Sequence, residues 1–469
     1  MELHDIESAR VACGALLQSE RHANATTHAL KQATRKTSYF ADGDPSLGHW
    51  FIPDLVLLGP QSATLIRFIE ESITAYLPRR RVRKAADAAT HFRHIMMVVA
   101  NALAMAWHRN SGRVAYSRAN GAYTDKAIWP DWLSGRMLKQ AVDELAALNL
   151  LTSEIGAWGS RSSLFEAADN FLEFAAINEV DATNLSLVMP PSSLVRLKDR
   201  NKQFQSFDQT DEIEGWISFL QTHNEFIGSQ KIELRIPEQL KDKFLMTLGA
   251  RHELAAIELY RTSLYRVFND STFKNGGRLY GGWWQKVPKA YRQFIVINDE
   301  PVCELDFSGF VIRSIYHQLG IDYREDPYQL EEITAYAVGL GFEPDHFRSD
   351  IKDLAQALLN GEPGGHSELI RLKHSFRPRY KRTEIQQMLE LKHAPISWAF
   401  KTEEGKRNQR LDSDIAMNVL QKMTYSQVPC LSIHDSFIVQ FGYIDKLRNQ
   451  MANSYRSMLP FDAIIKNSY

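Results

Sequence analysis

Hydrophobic residues recur along this chain with a changing period, and that period predicts the elements. The segment HFRHIMMVVANALAMAW, from His91, is apolar on nearly every side, which predicts a long buried helix. RVAYSR follows as a short strand. In WLSGRMLKQAVDELAALNLL the residues Leu138, Val142, Leu145 and Leu148 keep helical spacing, so a second, amphipathic helix is expected. TSEIGAWGSRSSLFEA then reads as two extended pieces around glycines. Upstream, residues 1–90 suggest helices broken by a Gly/Pro/Asp-rich stretch at 41–60, and they close on a basic run holding Arg79, Arg80 and Arg81. Downstream, residues 181–241 turn polar and read as a boundary or linker. Residues 242–269 look helical, with Leu245, Leu248, Leu254, Ile257 and Leu264 on one face.

Composition narrows the class. A length of 469 residues predicts two to four domains. With 44% hydrophobic, 11% aromatic and 24% charged residues, the chain is an ordinary folded protein rather than a disordered or fibrous one. Its net charge of -1 gives no global field for nucleic acid or membranes, so any basic surface must be local. Cys13, Cys303 and Cys430 are far apart and lack CxxC spacing, which supports neither a disulfide framework nor a zinc site and suggests a reducing, cytoplasmic setting. No apolar run approaches the ~18 residues of a membrane span, and MELHDIESAR does not look like a signal peptide.

Helix, strand, helix and Gly-containing hairpin over residues 91–180 resemble a winged helix, with 133–150 as recognition helix and 156–159 as wing tip. A generic α/β packing unit is the other reading. Beside a DNA-binding module, Arg79, Arg80 and Arg81 would contact phosphate; otherwise they are a solvated helix end.

Three later segments carry chemistry. PVCELDFSGFVIRSIYHQLG reads as a strand ending at Asp306, a Ser-Gly turn and an apolar helix. A strand-end Asp holds a metal or, more commonly, caps the next helix. HFRSDIKDLAQALLNG sets Arg348, Lys352, Gln356 and Asn360 at steps of four on one slowly drifting helix face. Two cations one turn apart suit a triphosphate, or simply solvent. VPCLSIHDSFIVQF reads as a hairpin with His434 and Asp435 at its turn, and a carboxylate there serves either turn chemistry or metal ligation.

In that order, a strand-end Asp, an R-x3-K-x7-N-G helix and a strand-HD-strand hairpin resemble motifs A, B and C of the family A DNA polymerases and the single-subunit phage-type RNA polymerases. The resemblance spans roughly residues 266–469. LDFSG with Arg313 follows the DNA polymerases, and IHDSF looks more like the RNA polymerases. GGRLYGGWW, with Arg278, is similar to the Gly-Arg pair that both use against template-primer, and LDSDIAMNVLQKM to the palm helix before motif C. The resemblance implies two Mg²⁺ ions, or Mn²⁺, on Asp306 and Asp435. It implies phosphate contacts from Arg348 and Lys352, with Lys352 also a proton donor to pyrophosphate, and a primer-terminus contact from His434. Residues 371–410 hold eleven Lys or Arg against four acids, a net +7 that suits a nucleic-acid channel or a solvated loop.

Departures from the pattern touch sugar selection. The DNA polymerases carry a Glu where this chain has Val311, and both families a Tyr where it has Asn360; Gln356 stands at an aromatic position of the DNA polymerases. No exonuclease signature is apparent before Arg266.

The expected fold is α+β: a right-hand polymerase with an antiparallel palm sheet and small helical fingers over 266–469. Before it come a helical region (1–90), a winged-helix-like domain (91–180) and a linker with a thumb-like helical region (181–265). The expected activity is DNA-directed DNA synthesis without proofreading, on a DNA template-primer with dNTPs or also NTPs, in an enzyme of a plasmid, phage or other mobile element by family habit. RNA or primer synthesis is the close alternative. Template-independent transfer and a DNA-binding replication initiator with an inactive palm are the others.

Overall fold

The computed structural model describes residues 49–77, 83–108, 112–119, 121–124, 129–156, 162–250, 259–361 and 380–468. It is a mixed α/β architecture whose sheets are mostly antiparallel, and the chain divides into two units. One comprises residues 1–195, 211–265 and 281–299, the other 196–210, 266–280 and 300–469.

The first unit is built around a long apolar helix. After β1 (His49–Trp50), β2 (Leu55–Leu57) and α1 (Pro60–Tyr76), α2 (Ala85–His108) buries every residue from Ile95 to Met105. Asn101 is the polar exception there. Its side chain accepts from the Ile52 amide at 2.6 Å and donates to the Ile52 carbonyl at 2.9 Å, so a buried amide fixes the chain before β2 instead of remaining unsatisfied. Strand β3 (Val114–Tyr116), helix α3 (Gly135–Ala147) and the antiparallel hairpin of β4 (Leu151–Glu154) and β5 (Ser163–Ala167) follow, giving the sheet order β1-β3-β5-β4. Leu138, Val142 and Leu145 of the predicted stripe are buried on α3 together with Ala141, while Leu148 is half-buried at the helix C-cap.

Helix α4 (Asp169–Ile177) and strand β6 (Leu185–Leu187), which pairs with β2, follow. The polar stretch read as a boundary is ordered. It also contains α5 (Asp211–Gly228), whose Ile213, Ile217, Leu220 and Ile227 form an apolar stripe among many polar neighbours, with Asp211, Glu212 and Glu214 complementing the N-terminal dipole. Of the stretch expected to be helical over 242–269, α6 (Glu238–Ala250) covers the beginning, but Tyr265–Asn269 is a strand. Its YRVFN sequence has the β-branched and aromatic character of one.

The second unit contains two sheets. One orders β10-β9-β7-β8, from β7 (Val195–Lys198), β8 (Phe204–Gln205), β9 (Tyr265–Asn269) and β10 (Thr272–Tyr280). In the other, β11 (Glu300–Phe307) pairs antiparallel with β13 (Ser436–Gln440) and with β14 (Ile465–Asn467), while β12 (Cys430–Ile433) forms a hairpin with β13. Helices α7 (Phe310–Gln318), α8 (Glu331–Gly339), α9 (Arg348–Asn360), α10 (Arg382–Lys392), α11 (Glu404–Tyr425) and α12 (Ile444–Arg456) complete it. Cys303 and Cys430 are free and buried. Among the described residues no helix is long and apolar enough to cross a membrane.

One ring in the first unit yields a test. His94, fully buried on α2, donates from Nδ1 to the Thr90 carbonyl at 2.6 Å and accepts at Nε2 from the Ser134 amide at 3.0 Å, joining α2 to the N-cap of α3. Only the neutral ring makes both bonds. Burial lowers its pKa from 6.5 to about 4. Below about pH 6.5 the unfolded chain takes up a proton that the folded chain refuses until about pH 4, so this residue costs stability as pH falls through that window. Between pH 7 and 5 the loss is on the order of 2 kcal/mol. Urea unfolding at the two pH values should show the gap between wild type and His94→Gln narrowing by about that amount; a gap of constant width would refute the neutral-ring assignment.

Candidate active site

The site lies in the second unit, where the sheet ends meet two helices. Asp306 occupies the end of β11, directly opposite Ser436 on β13 and Lys466 on β14. Opposed residues project to one side of a sheet, so Asp306, Ser436 and Lys466 share a face. Glu304, two residues earlier, lies on that face as well, buried, and accepts from Ser436 Oγ at 2.7 Å.

Asp435 sits in the two-residue turn between β12 and β13. His434 before it adopts φ 57°, the left-handed conformation that lets so short a turn close. The Asp435 carbonyl accepts from the Phe307 amide at 3.2 Å, tying the turn to the residue after Asp306. More than a hundred residues apart in sequence, the two aspartates therefore stand on adjoining strand ends. The His434 ring packs edge-on against Tyr280, with centroids 5.8 Å apart, at the end of β10.

Helix α11 carries a group that the sequence reading passed over. Asp412 is buried and pairs with Nε of Arg278 at 3.0 Å. Burial raises its carboxyl pKa to about 7, Arg278 works against that rise, and the nearby Asp435 charge adds to it. Burial likewise disfavours the Arg278 charge, but Asp412 and Asp435 outweigh it and hold that pKa above normal. The signal lay in LDSDIAMNVLQKM, where Asp412 stands on the apolar stripe continued by Ile415, Val419 and Met423. A carboxylate on such a stripe needs a buried partner.

Helix α9 supplies the cationic residues. Arg348 donates from Nε to Asp326 at 2.7 Å, and its guanidinium lies over the Tyr328 ring, 5.3 Å from the centroid. Lys352 is exposed, with no ion pair among the described residues. Gln356 hydrogen-bonds the buried Tyr328 hydroxyl, whose pKa is pushed up to about 12 by burial and by Asp435. Neither Tyr328 nor Asp326 was singled out from sequence, since the loop that bears them has no periodicity.

Three expected contacts are otherwise engaged. Arg313 is 5% exposed and its guanidinium donates to the carbonyls of Ser308, Tyr323 and Glu325 at 2.6–2.8 Å, so it clamps a loop instead of facing nucleic acid. Asn360 donates to the Gln356 carbonyl at 2.8 Å and accepts from Gln409 at 3.2 Å, which occupies the amide between α9 and α11. Val311 is buried within α7. Arg79, Arg80 and Arg81 lie outside the described residues, as do residues 157–159 of the expected wing tip and residues 371–379 of the basic segment.

Among the described residues no group of three or more His, Cys, Asp or Glu side chains forms a ready-made metal cage. Two aspartates on adjoining strand ends fit a hard cation such as Mg²⁺, which binds through one or two carboxylates and completes its shell with water and substrate phosphates.

No protein-family model matches the chain, and no curated protein does. Among solved structures, the POL domain of Pol1 from M. smegmatis, in complex with DNA primer-template and dNTP, is similar at 12% identity, over 85% of this chain and 77% of that chain, with a TM-score of 0.27. A likeness at that level assigns no roles, which rest on the side chains of this chain.

Proposed function

We propose that this chain is a template-directed nucleotidyltransferase, a DNA-directed DNA polymerase without proofreading that extends a primer 3′-hydroxyl. The observation that carries the reading is the meeting of Asp306 and Asp435 on adjoining strand ends, tied through the Phe307 amide. Bound there, Mg²⁺ or Mn²⁺ would lower the pKa of the attacking hydroxyl and neutralise developing phosphate charge.

The remaining roles belong to side chains. Arg348 and the exposed Lys352, one turn apart on α9, would bind the β and γ phosphates, and Lys352 would supply a proton to the leaving pyrophosphate. His434, braced by Tyr280, would contact the primer terminus. Arg278, held by Asp412, would face the template-primer, where its ion pair limits the rotamers it must give up on binding. In the first unit, helix, strand, helix and hairpin in the order β1-β3-β5-β4 support a winged helix that binds duplex DNA through α3, on which Arg136 and Lys139 are exposed.

RNA or primer synthesis stays as the second reading because the sugar position is permissive. Val311 offers no carboxylate, and the Asn360 amide is already occupied.

Asp306→Asn and Asp435→Asn should each abolish primer extension while leaving the template-primer Kd within a few-fold of wild type. Extension by either variant at wild-type rate would refute the reading. For sugar choice, one missing barrier leaves discrimination of about ten- to two-hundred-fold in kcat/KM, with dNTPs preferred over matched NTPs. A ratio beyond about ten-thousand-fold would assign the selection to another group. In the winged-helix reading, Arg136→Ala with Lys139→Ala should weaken duplex binding and lower the slope of log K against log salt by about two; an unchanged slope removes α3 from the interface.

A further inference from the structure

The proposed triphosphate-binding arginine is itself held in place. Both carboxylate oxygens of Asp326 are engaged: Oδ1 accepts from the Tyr328 amide at 2.9 Å, and Oδ2 accepts from Arg348 Nε at 2.7 Å. The first bond closes an Asx turn across Pro327, and the second reaches from that turn to the first residue of α9. Because only Nε is taken, the two terminal nitrogens of Arg348 remain without a hydrogen bond among the described residues. The Tyr328 ring beneath the guanidinium restricts its tilt.

The turn is anchored from behind by groups that reach no phosphate. Arg313 donates to the carbonyls of Tyr323 and Glu325, immediately before Asp326. His393, fully buried, donates from Nε2 to the Pro327 carbonyl at 2.8 Å and meets the Tyr316 hydroxyl at Nδ1. Gly309, at φ 62°, leaves room for Pro327, since a Cβ there would stand 2.8 Å from its ring. A turn braced at the carbonyls of Tyr323, Glu325 and Pro327 serves as a rigid mount. A flexible arginine surrenders rotamer freedom when it binds phosphate, and a mount that fixes one edge of the fork removes part of that cost beforehand.

We propose that Asp326 is a positioning residue that presets Arg348 for the triphosphate of the incoming nucleotide. The inference rests on the reading of Arg348 as a phosphate ligand, and a double-mutant cycle separates the two. Asp326→Asn keeps an acceptor for the Tyr328 amide but loses the charge that orients Nε. Steady-state extension of a preformed template-primer should show the KM for dNTP raised about tenfold, kcat changed less, and the template-primer Kd unmoved. Arg348→Ala should raise the same KM at least as much. The decisive result is non-additivity: the double variant should be no worse than Arg348→Ala alone, because Asp326 acts only through that side chain.

Additive effects, an unchanged KM in Asp326→Asn, or a lowered one, which would make Asp326 a competitor of phosphate, each overturn the inference while leaving Arg348 as a ligand. A silent Arg348→Ala overturns the phosphate reading itself, and the inference with it. Thermal unfolding of each variant with and without dNTP guards against misfolding, since an intact mount still gives a dNTP-dependent rise in Tm for wild type and a smaller one for Asp326→Asn.

Discussion

The second unit depends on a guanidinium that never meets water. Arg266 on β9 is 0% exposed, donating to the Gly277 carbonyl at 2.9 Å, to Ser413 Oγ at 2.9 Å and to Asp414 at 2.8 Å. Burying an arginine costs several kcal/mol unless its donors find good partners, so the strand carbonyl and the helix side chains must arrive together. Gly277 has φ 81°, and a Cβ there would stand 2.9 Å from the Arg266 terminal nitrogen. Gly277, immediately before Arg278, is thus required by the clamp itself.

That clamp sets the register of α11 against β10. Asp414 and Ser413 meet Arg266, and the adjacent Asp412 meets Arg278. Two carboxyl–guanidinium contacts on one helix, each with one fully or nearly buried partner, leave little freedom to slide or rotate. Arg278 is in turn held where it feels Asp435 as well as Asp412. A second alternation of sign runs through Lys466, Asp326 and Arg348, with Lys466 and Arg348 helping to hold Asp326 ionised against its burial.

Much of the framework was legible in sequence because its elements are strongly periodic. The apolar 91–107 segment, the stripe on α3, the strand before Asp306, helix α9 and the HD hairpin all follow from local pattern. Misreadings have local causes too. Helix α5 falls in a stretch that reads as linker because acids, amides and hydroxyls interrupt its apolar stripe. Residues 265–269 followed a helix in sequence and were absorbed into its pattern. Arg313 stands at a matching motif position and Asn360 at a departing one, and the hydrogen-bonding groups of both are spent on carbonyls and on Gln409.

From the amino-acid order alone came the spacing of Arg348 and Lys352, the isolation of Asp306 and Asp435 between apolar strands, and the absence of a carboxylate at Val311. These are properties of residue type and period, which are local. Tertiary structure alone decided which polar groups meet: Asp412 with Arg278, Asp326 with Arg348, Tyr328 with Gln356, and the Asp435 carbonyl with the Phe307 amide at the end of β11. Such pairs join segments that share no period, and only the closing of the sheet and the seating of α11 on β10 bring their side chains within hydrogen-bonding distance.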